Sequence, residues 1–139
     1  MLMDDLSIEW HSDYEIGIND IDQDHKRLFS LFNYFNTVAD QGTKTPCTST
    51  MFVLLSDYAI SHFRNEEAIM NSTKYPDIVN HIRQHDGFVR KLEKIRIRYE
   101  DGEDVREELF IFFRDWILSH VLRDDRKIGE HIKALAPAF

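Results

Sequence analysis

Apolar residues along this chain recur at alternating steps of three and four, the spacing that keeps side chains on one face of an α-helix. From Ile21 the pattern runs through His25, Leu28, Phe32, Phe35 and Ala39. Asn19 or Asp20 suits an N-cap and Gly42 a stop, which predicts a first helix from about Asn19 to Asp40. The segment Thr43 to Ser49, with Pro46 and Cys47, reads as a loop, and Thr48 or Ser49 can cap a second helix ending near Ser72. Its seam is Met51, Leu55, Tyr58, His62, Glu66 (or Asn65) and Ile69. Pro76 suits the first turn of a third helix, whose seam is His81, His85, Phe88, Leu92, Ile95 and Tyr99 before Asp101-Gly102 ends it. Gly87 inside this helix costs about 1 kcal/mol relative to Ala. A fourth helix, from about Asp104 to Gly129, carries Leu109, Phe113, Trp116 and His120 at steps of four, three and four. Ahead of the helices, Trp10, Tyr14, Ile16 and Ile18 are apolar anchors in an irregular arm broken by Gly17.

Four amphipathic helices joined by short loops, with no strand alternation and no internal repeat, predict an all-α fold: an up-down-up-down antiparallel four-helix bundle. At 139 residues the chain has room for one domain. The expected division is an arm over 1–18, the bundle over 19–129 and a tail over 130–139. A composition of 42% hydrophobic and 30% charged residues is that of an ordinary globular protein. A net charge of -8 argues against nucleic acid or an anionic membrane surface as partner, since both demand clustered Lys and Arg. The longest apolar runs, Met51 to Leu55 and Leu109 to Phe113, are five residues each, far below the ~18 that span a bilayer. Asp4 and Asp5 stand where a signal peptide would carry bases, so a cytoplasmic location is expected; the expected state is a monomer. A single cysteine, Cys47, makes no internal disulfide, and its reactivity rests on exposure.

The bundle seam is interrupted by polar residues at His25, His62, Glu66, His81, His85 and His120. Burying such groups is costly unless each is satisfied. His62 and Glu66, and likewise His81 and His85, are four apart, so each pair lies about 40° apart around its helix and ~6 Å along it, within reach of one centre. Antiparallel topology sets the start of the first helix beside the end of the second, the start of the third and the end of the fourth. His25, His62 with Glu66, His81 with His85, and His120 then fall in one layer at one end of the bundle. Independent core histidines have no reason to gather in this way, and the arrangement predicts a metal site. His11 and His131 fall outside the layer and read as surface histidines. A further acid is available at Asp124 or Asp125: Asp124 is the easier choice in a regular helix, whereas Asp125, five residues from His120, needs a π-type turn or a break.

Five imidazoles and two carboxylates exceed the needs of one ion with an open position and suit two ions bridged by the carboxylates. Nitrogen-rich ligation without thiolate allows Fe, Zn, Cu or Ni and does not meet the hard-oxygen preference of Mg or Ca. Two irons are the natural candidate. Ferritin-like di-iron bundles use four carboxylates and two imidazoles. The reversed ratio here leaves more positive charge at the metals and favours the ferrous form, a set suited to binding dioxygen without cleaving it.

Ile21-Asp22-Gln23-Asp24-His25, His62-Phe63-Arg64-Asn65-Glu66-Glu67, Tyr75-Pro76 followed by His81 and His85, and Trp116-Ile117-Leu118-Ser119-His120 with Asp125 resemble the hemerythrin pattern in its bacterial form. The resemblance extends from Trp10 to about Gly129 and lacks no ligand. It implies one iron held by His81, His85 and His120 and another by His25 and His62, the latter with an open position for dioxygen. It further implies that Glu66 and Asp125 bridge the irons together with an oxo or hydroxo group, which selects Asp125 over Asp124. The two irons would cycle between Fe2+ and Fe3+ as dioxygen binds and leaves. Tyr58, Phe63 and Trp116 are candidates for lining the pocket, while Glu67 reads as a solvated acid and Met51 and Met70 as packing.

The function this favours is reversible dioxygen binding as a carrier, store or delivery protein, with an oxygen-consuming or electron-transfer protein as a possible recipient. The alternatives are an oxygen or redox sensor working through a partner, a di-iron oxidase, peroxidase or nitric oxide reductase, and iron handling without gas chemistry. Catalysis would need an electron supply and sustained turnover, neither of which is legible in the chain, so a non-enzymatic role is expected.

Overall fold

The computed structural model describes residues 7–40 and 45–135, without the side chains of 38–40 and 45–47. Ala39, Gly42 and Cys47 therefore lie outside the described side chains. Four helical rods form the predicted bundle: α1 (Asn19–Asp40), α2 (Thr45–Ser72), α3 (Ile78–Glu100), and a last rod of α4 (Arg106–Asp115), a π-helix (Trp116–Asp124) and α5 (Asp125–Leu135). α1 packs against α2 and α4, and α2 against α3. No helix among the described residues is long and apolar enough to cross a membrane.

Three boundaries differ from the pattern reading. α2 begins at Thr45, inside the expected loop, because Pro46 falls in a first turn, where its missing N–H costs no hydrogen bond. Pro76 lies in the turn before α3, which starts at Ile78 after Asp77, and Lys74 at φ 56° makes that turn in a left-handed conformation. The last rod runs helical to Leu135, beyond the expected end near Gly129.

Along the seam, Ile21, Leu28, Phe32, Phe35, Met51, Leu55, Phe88, Leu92, Ile95, Leu109 and Phe113 are buried as the three-four spacing requires. Phe32 sits between Phe110 and Phe113, with ring centroids at 4.9 and 5.3 Å. This main apolar cluster fills one side of the bundle. A smaller one, Met70, Tyr75 and Ile128, closes the opposite end with Ile69, Ile78, Ile82 and Ile132 around it. The polar layer lies where the two clusters leave off.

The last residues of the arm, Ile16 and Gly17, are tied near the polar layer, and its earlier part lies on the main cluster. Asp22, buried, accepts the backbone N–H groups of Ile16 and Gly17 at 2.8 and 3.2 Å, which satisfies donors that an irregular segment would leave open. Ile16 lies on Gly129, where any Cβ would come within 2.7 Å of the Ile16 Cβ. Glycine is needed there for close approach. Trp10 packs edge-on against Phe29 at 5.1 Å, and Asn33 pairs reciprocally with the backbone of Ile8.

Candidate metal centre

Each polar residue of the layer owes its aim to the seam position it occupies. His25 on α1, His62 and Glu66 on α2, His81 and His85 on α3, and His120 and Asp125 on the last rod are all 2% exposed or less. The decisive local feature is the π-helix. The Asp125 N–H donates to the His120 carbonyl, a five-residue closure that turns both side chains inward despite a spacing that an α-helix would place ~140° apart. Asp124, the easier choice on α-helical spacing, stays partly exposed with its carboxylate 3.7 Å from His120 Nδ1.

The candidate ligand atoms form two sets that share the carboxylates. One holds Glu66, His81, His85, His120 and Asp125; the other holds His25, His62, Glu66 and Asp125; within each set one ligand atom per residue lies within 4.8 Å of the rest. Glu66 Oε1 faces His81 Nε2 at 2.8 Å and His85 Nε2 at 3.0 Å, whereas its Oε2 faces His62 Nε2 at 3.1 Å. Asp125 repeats the division. Its Oδ1 lies 3.0 Å from His81 Nε2 and from His120 Nε2, and its Oδ2 lies 3.1 Å from His25 Nε2. Each carboxylate thus turns one oxygen to each imidazole set.

The donor set fits a cation better than it fits itself. Nε2 of His25, His62 and His120, Glu66 Oε2 and both Asp125 oxygens are buried and face one another at 3.0–3.1 Å without the alignment of a hydrogen bond among the described residues. Six orphaned atoms converging on one volume is a costly arrangement for a protein to keep with no ion there to satisfy it. Burial opposes charge on both carboxylates, yet the facing imidazoles hold Glu66 and Asp125 well below the usual carboxylate range. Burial by itself would lower His62 and His81. The hydrogen bond to Asp24 and the Glu66 carboxylate instead push His62 up to about 10, and Asp125 and Glu66 push His81 up to about 9.

Behind the inner atoms stands an outer layer that the pattern reading did not find. His62 Nδ1–H donates to Asp24 at 2.9 Å, His85 Nδ1–H to Glu67 at 2.8 Å, and His120 Nδ1–H to Gln84 at 2.8 Å. Glu67 is therefore not a free solvated acid. Each partner is adjacent in sequence to a candidate ligand on the preceding helix, a signal available had adjacency been read along with facing. The candidate pocket residues back the same rings: Tyr58 stacks on His62 at 4.9 Å, Phe63 on His85 at 3.9 Å and Trp116 on His120 at 3.9 Å. The Trp116 indole N–H donates to the Tyr58 hydroxyl at 3.1 Å, joining two of them. Met51 and Met70 are core residues.

His11 is exposed, as expected. His131 is not a surface histidine: half-buried, its Nε2–H donates to the Thr73 carbonyl at 2.8 Å, and Tyr75 meets it edge-on. It pins the α2–α3 turn to α5 and stays out of both ligand sets.

The family model of the hemerythrin HHE cation binding domain matches residues 16–132. The bacteriohemerythrin of Stenotrophomonas maltophilia is 32% identical over 125 residues, covering 90% of this chain and 81% of its own. That of Pseudomonas aeruginosa is 34% identical over 116 residues, covering 84% and 75%, and myohemerythrin-1 of Phascolopsis gouldii is 29% identical over 118, covering 85% and 88%. A crystal structure of a hemerythrin point variant superposes with a TM-score of 0.78 at 25% identity, over 89% of this chain and 95% of that one. With the two carboxylate-sharing histidine sets in a four-helix bundle, these likenesses establish that the chain belongs to the hemerythrin family.

Proposed function

We propose that the centre holds two iron ions and binds dioxygen reversibly, and that the protein serves as an oxygen carrier, store or delivery module. The observation that carries this reading is the division of labour in the carboxylates, in which Glu66 and Asp125 each turn one oxygen to the three-histidine set and the other to the two-histidine set. His81, His85 and His120 would hold one iron, His25 and His62 the second, and Glu66 and Asp125 would bridge them along with an oxo or hydroxo group. When bound, such an iron pair supplies reversible two-electron chemistry toward dioxygen.

The chain's own residues set the conditions for that chemistry. Two carboxylates against five neutral imidazoles leave a cationic site, which favours the ferrous form in which the ligand is taken up. Having two histidines on one side against three on the other makes the His25–His62 side the one with room for a small ligand. Phe63, 5% exposed, and the hydrogen-bonded Tyr58 and Trp116 place apolar ring faces against His85, His62 and His120. They keep bulk water from the centre and slow loss of the reduced state. The test is anaerobic reduction of the iron-loaded chain, addition of dioxygen and then purging with argon, with the visible spectrum and iron per chain recorded. A band that comes with dioxygen and leaves on purging, at two irons per chain, is expected. Irreversible oxidation would make the protein an oxidase or peroxidase, and no oxygen-dependent band would leave iron handling.

A further inference from the structure

The outer partners of the imidazoles follow a rule around the bundle. Asp24 on α1, next to His25, holds His62 on α2; Glu67 on α2, next to Glu66, holds His85 on α3; Gln84 on α3, next to His85, holds His120 on the last rod. Each helix thus orients one candidate ligand of the next. The step that would close the ring, from the last rod back to α1, is absent among the described residues: His25 Nδ1 is buried with no hydrogen-bond partner. The stacking aromatics back the same three rings. Tyr58, Phe63 and Trp116 back His62, His85 and His120, whereas the ring beside His25 is that of His62 itself, 4.9 Å away and tilted by 61°.

Orientation of a ligand before the ion arrives lowers the cost of binding, because the ring's rotamer and tautomer are already fixed. In the three-histidine half, two of the three rings, His85 and His120, are held from behind on both counts. In the two-histidine half one of the two is, His62, through Asp24 and Tyr58, and Asp24 also engages Arg27 at 2.6 Å. We propose that the two halves fill in order, the His81–His85–His120 half first and tightly, the His25–His62 half second and more weakly. Asp24 is then the positioning residue that decides whether the second ion stays, and His25 is the ligand that yields most readily. This rests on the two-ion reading above.

The experiment is a titration of the metal-free full chain with Zn2+ against a competing chelator, with ions per chain counted and 15N-histidine NMR spectra followed. Zn2+ avoids redox chemistry, and the readout does not depend on oxygen binding. The expected result is two steps at least tenfold apart, with the Nε2 signals of His81, His85 and His120 moving in the first. Asp24→Ala should weaken the second step by about ten- to a hundredfold and leave the first unchanged. Asp24→Asn, which keeps an acceptor oxygen, should restore most of the loss. Glu67→Ala should weaken the first step instead. A single step of equal affinities, a reversed order, or an Asp24→Ala variant that weakens both steps alike overturns the proposal while leaving two ions per chain. At most one ion per chain overturns the two-ion reading itself.

Discussion

The metal-free layer is a store of protons, and their number can be predicted. His62, up at about 10, and His81, at about 9, are both cationic at pH 7.5, each more than nine-tenths protonated. Imidazoles at the ordinary value of about 6.5 would carry only about a tenth of a proton each at that pH. An ion arriving at Nε2 must displace the proton there, since only the neutral ring is a ligand. Loading the metal-free chain with Zn2+ at pH 7.5 should therefore release about two protons from these residues alone, against about 0.2 were they unperturbed. The release is measured by calorimetry in two buffers of different ionisation enthalpy. It should fall to about 0.6 proton by pH 10, where His81 is neutral and His62 half protonated. Stability of the metal-free chain follows the same sign. A histidine pKa raised on folding contributes stability fully below about 6.5 that is lost as pH climbs through the folded value, so the melting temperature of the metal-free form should drop between about pH 7 and 10. Release of well under one proton per chain at pH 7.5 would refute the reasoning, for it would mean that the carboxylates face neutral rings.

Glu66→Ala removes one of the two carboxylates proposed to bridge and should bring bound ions below two per chain; two ions retained would show that Glu66 does not bridge. His131→Ala should leave ion content unchanged but lower stability by about 1 kcal/mol, since the Thr73 carbonyl loses its donor; this can be read from urea unfolding. Two glycines should respond oppositely to Ala. Gly87→Ala, with nothing within 4 Å of the added Cβ, should stabilise by about 1 kcal/mol, whereas Gly129→Ala, forced against Ile16, should destabilise by about 1–3 kcal/mol. Equal melting temperatures for the two variants would contradict the close packing of the arm on α5.

The bundle and its inner layer were legible because one spacing served both purposes. The candidate ligands of α1 to α3 occupy seam positions that Leu or Phe would otherwise fill, so the pattern that predicts the core also aims them. Asp125 was different. An α-helical wheel turns it away from His120, and nothing in Trp116 to Asp124 announces five-residue hydrogen bonding, so its choice over Asp124 came from family likeness and its reason from the π-helix. The outer partners escaped for a related cause. Asp24, Glu67 and Gln84 sit one residue from a ligand, about 100° off the seam, where a single-helix reading sees a solvent-facing polar residue; their use depends on which helix lies alongside. His131 was misread because its partner is a backbone carbonyl in a turn, invisible to side-chain patterning.

The π-helix also explains how the layer coexists with a core on each side of it. Val121, Ile117 and Phe113 precede or flank His120 and belong to the main cluster, while Ile128 follows Asp125 and belongs to the cap. In an uninterrupted α-helix the fifth residue after His120 would face away, and aiming Asp125 inward would rotate Ile128 and Gly129 off the positions they hold against Tyr75 and Ile16. The wider turn takes up that angle locally, so that ligand, cap and arm stay in register together. Its cost is the poorer hydrogen-bond geometry of a stretch that proteins use sparingly. What holds it is the set of contacts at its C-terminal end: Asp125 among the imidazoles, Ile128 in the cap, Gly129 under Ile16 and the Arg126 guanidinium on the Asp13 carbonyl at 3.0 Å. The same end of the bundle therefore owes its shape to the metal layer and to the arm at once, and a change that frees either loosens the other.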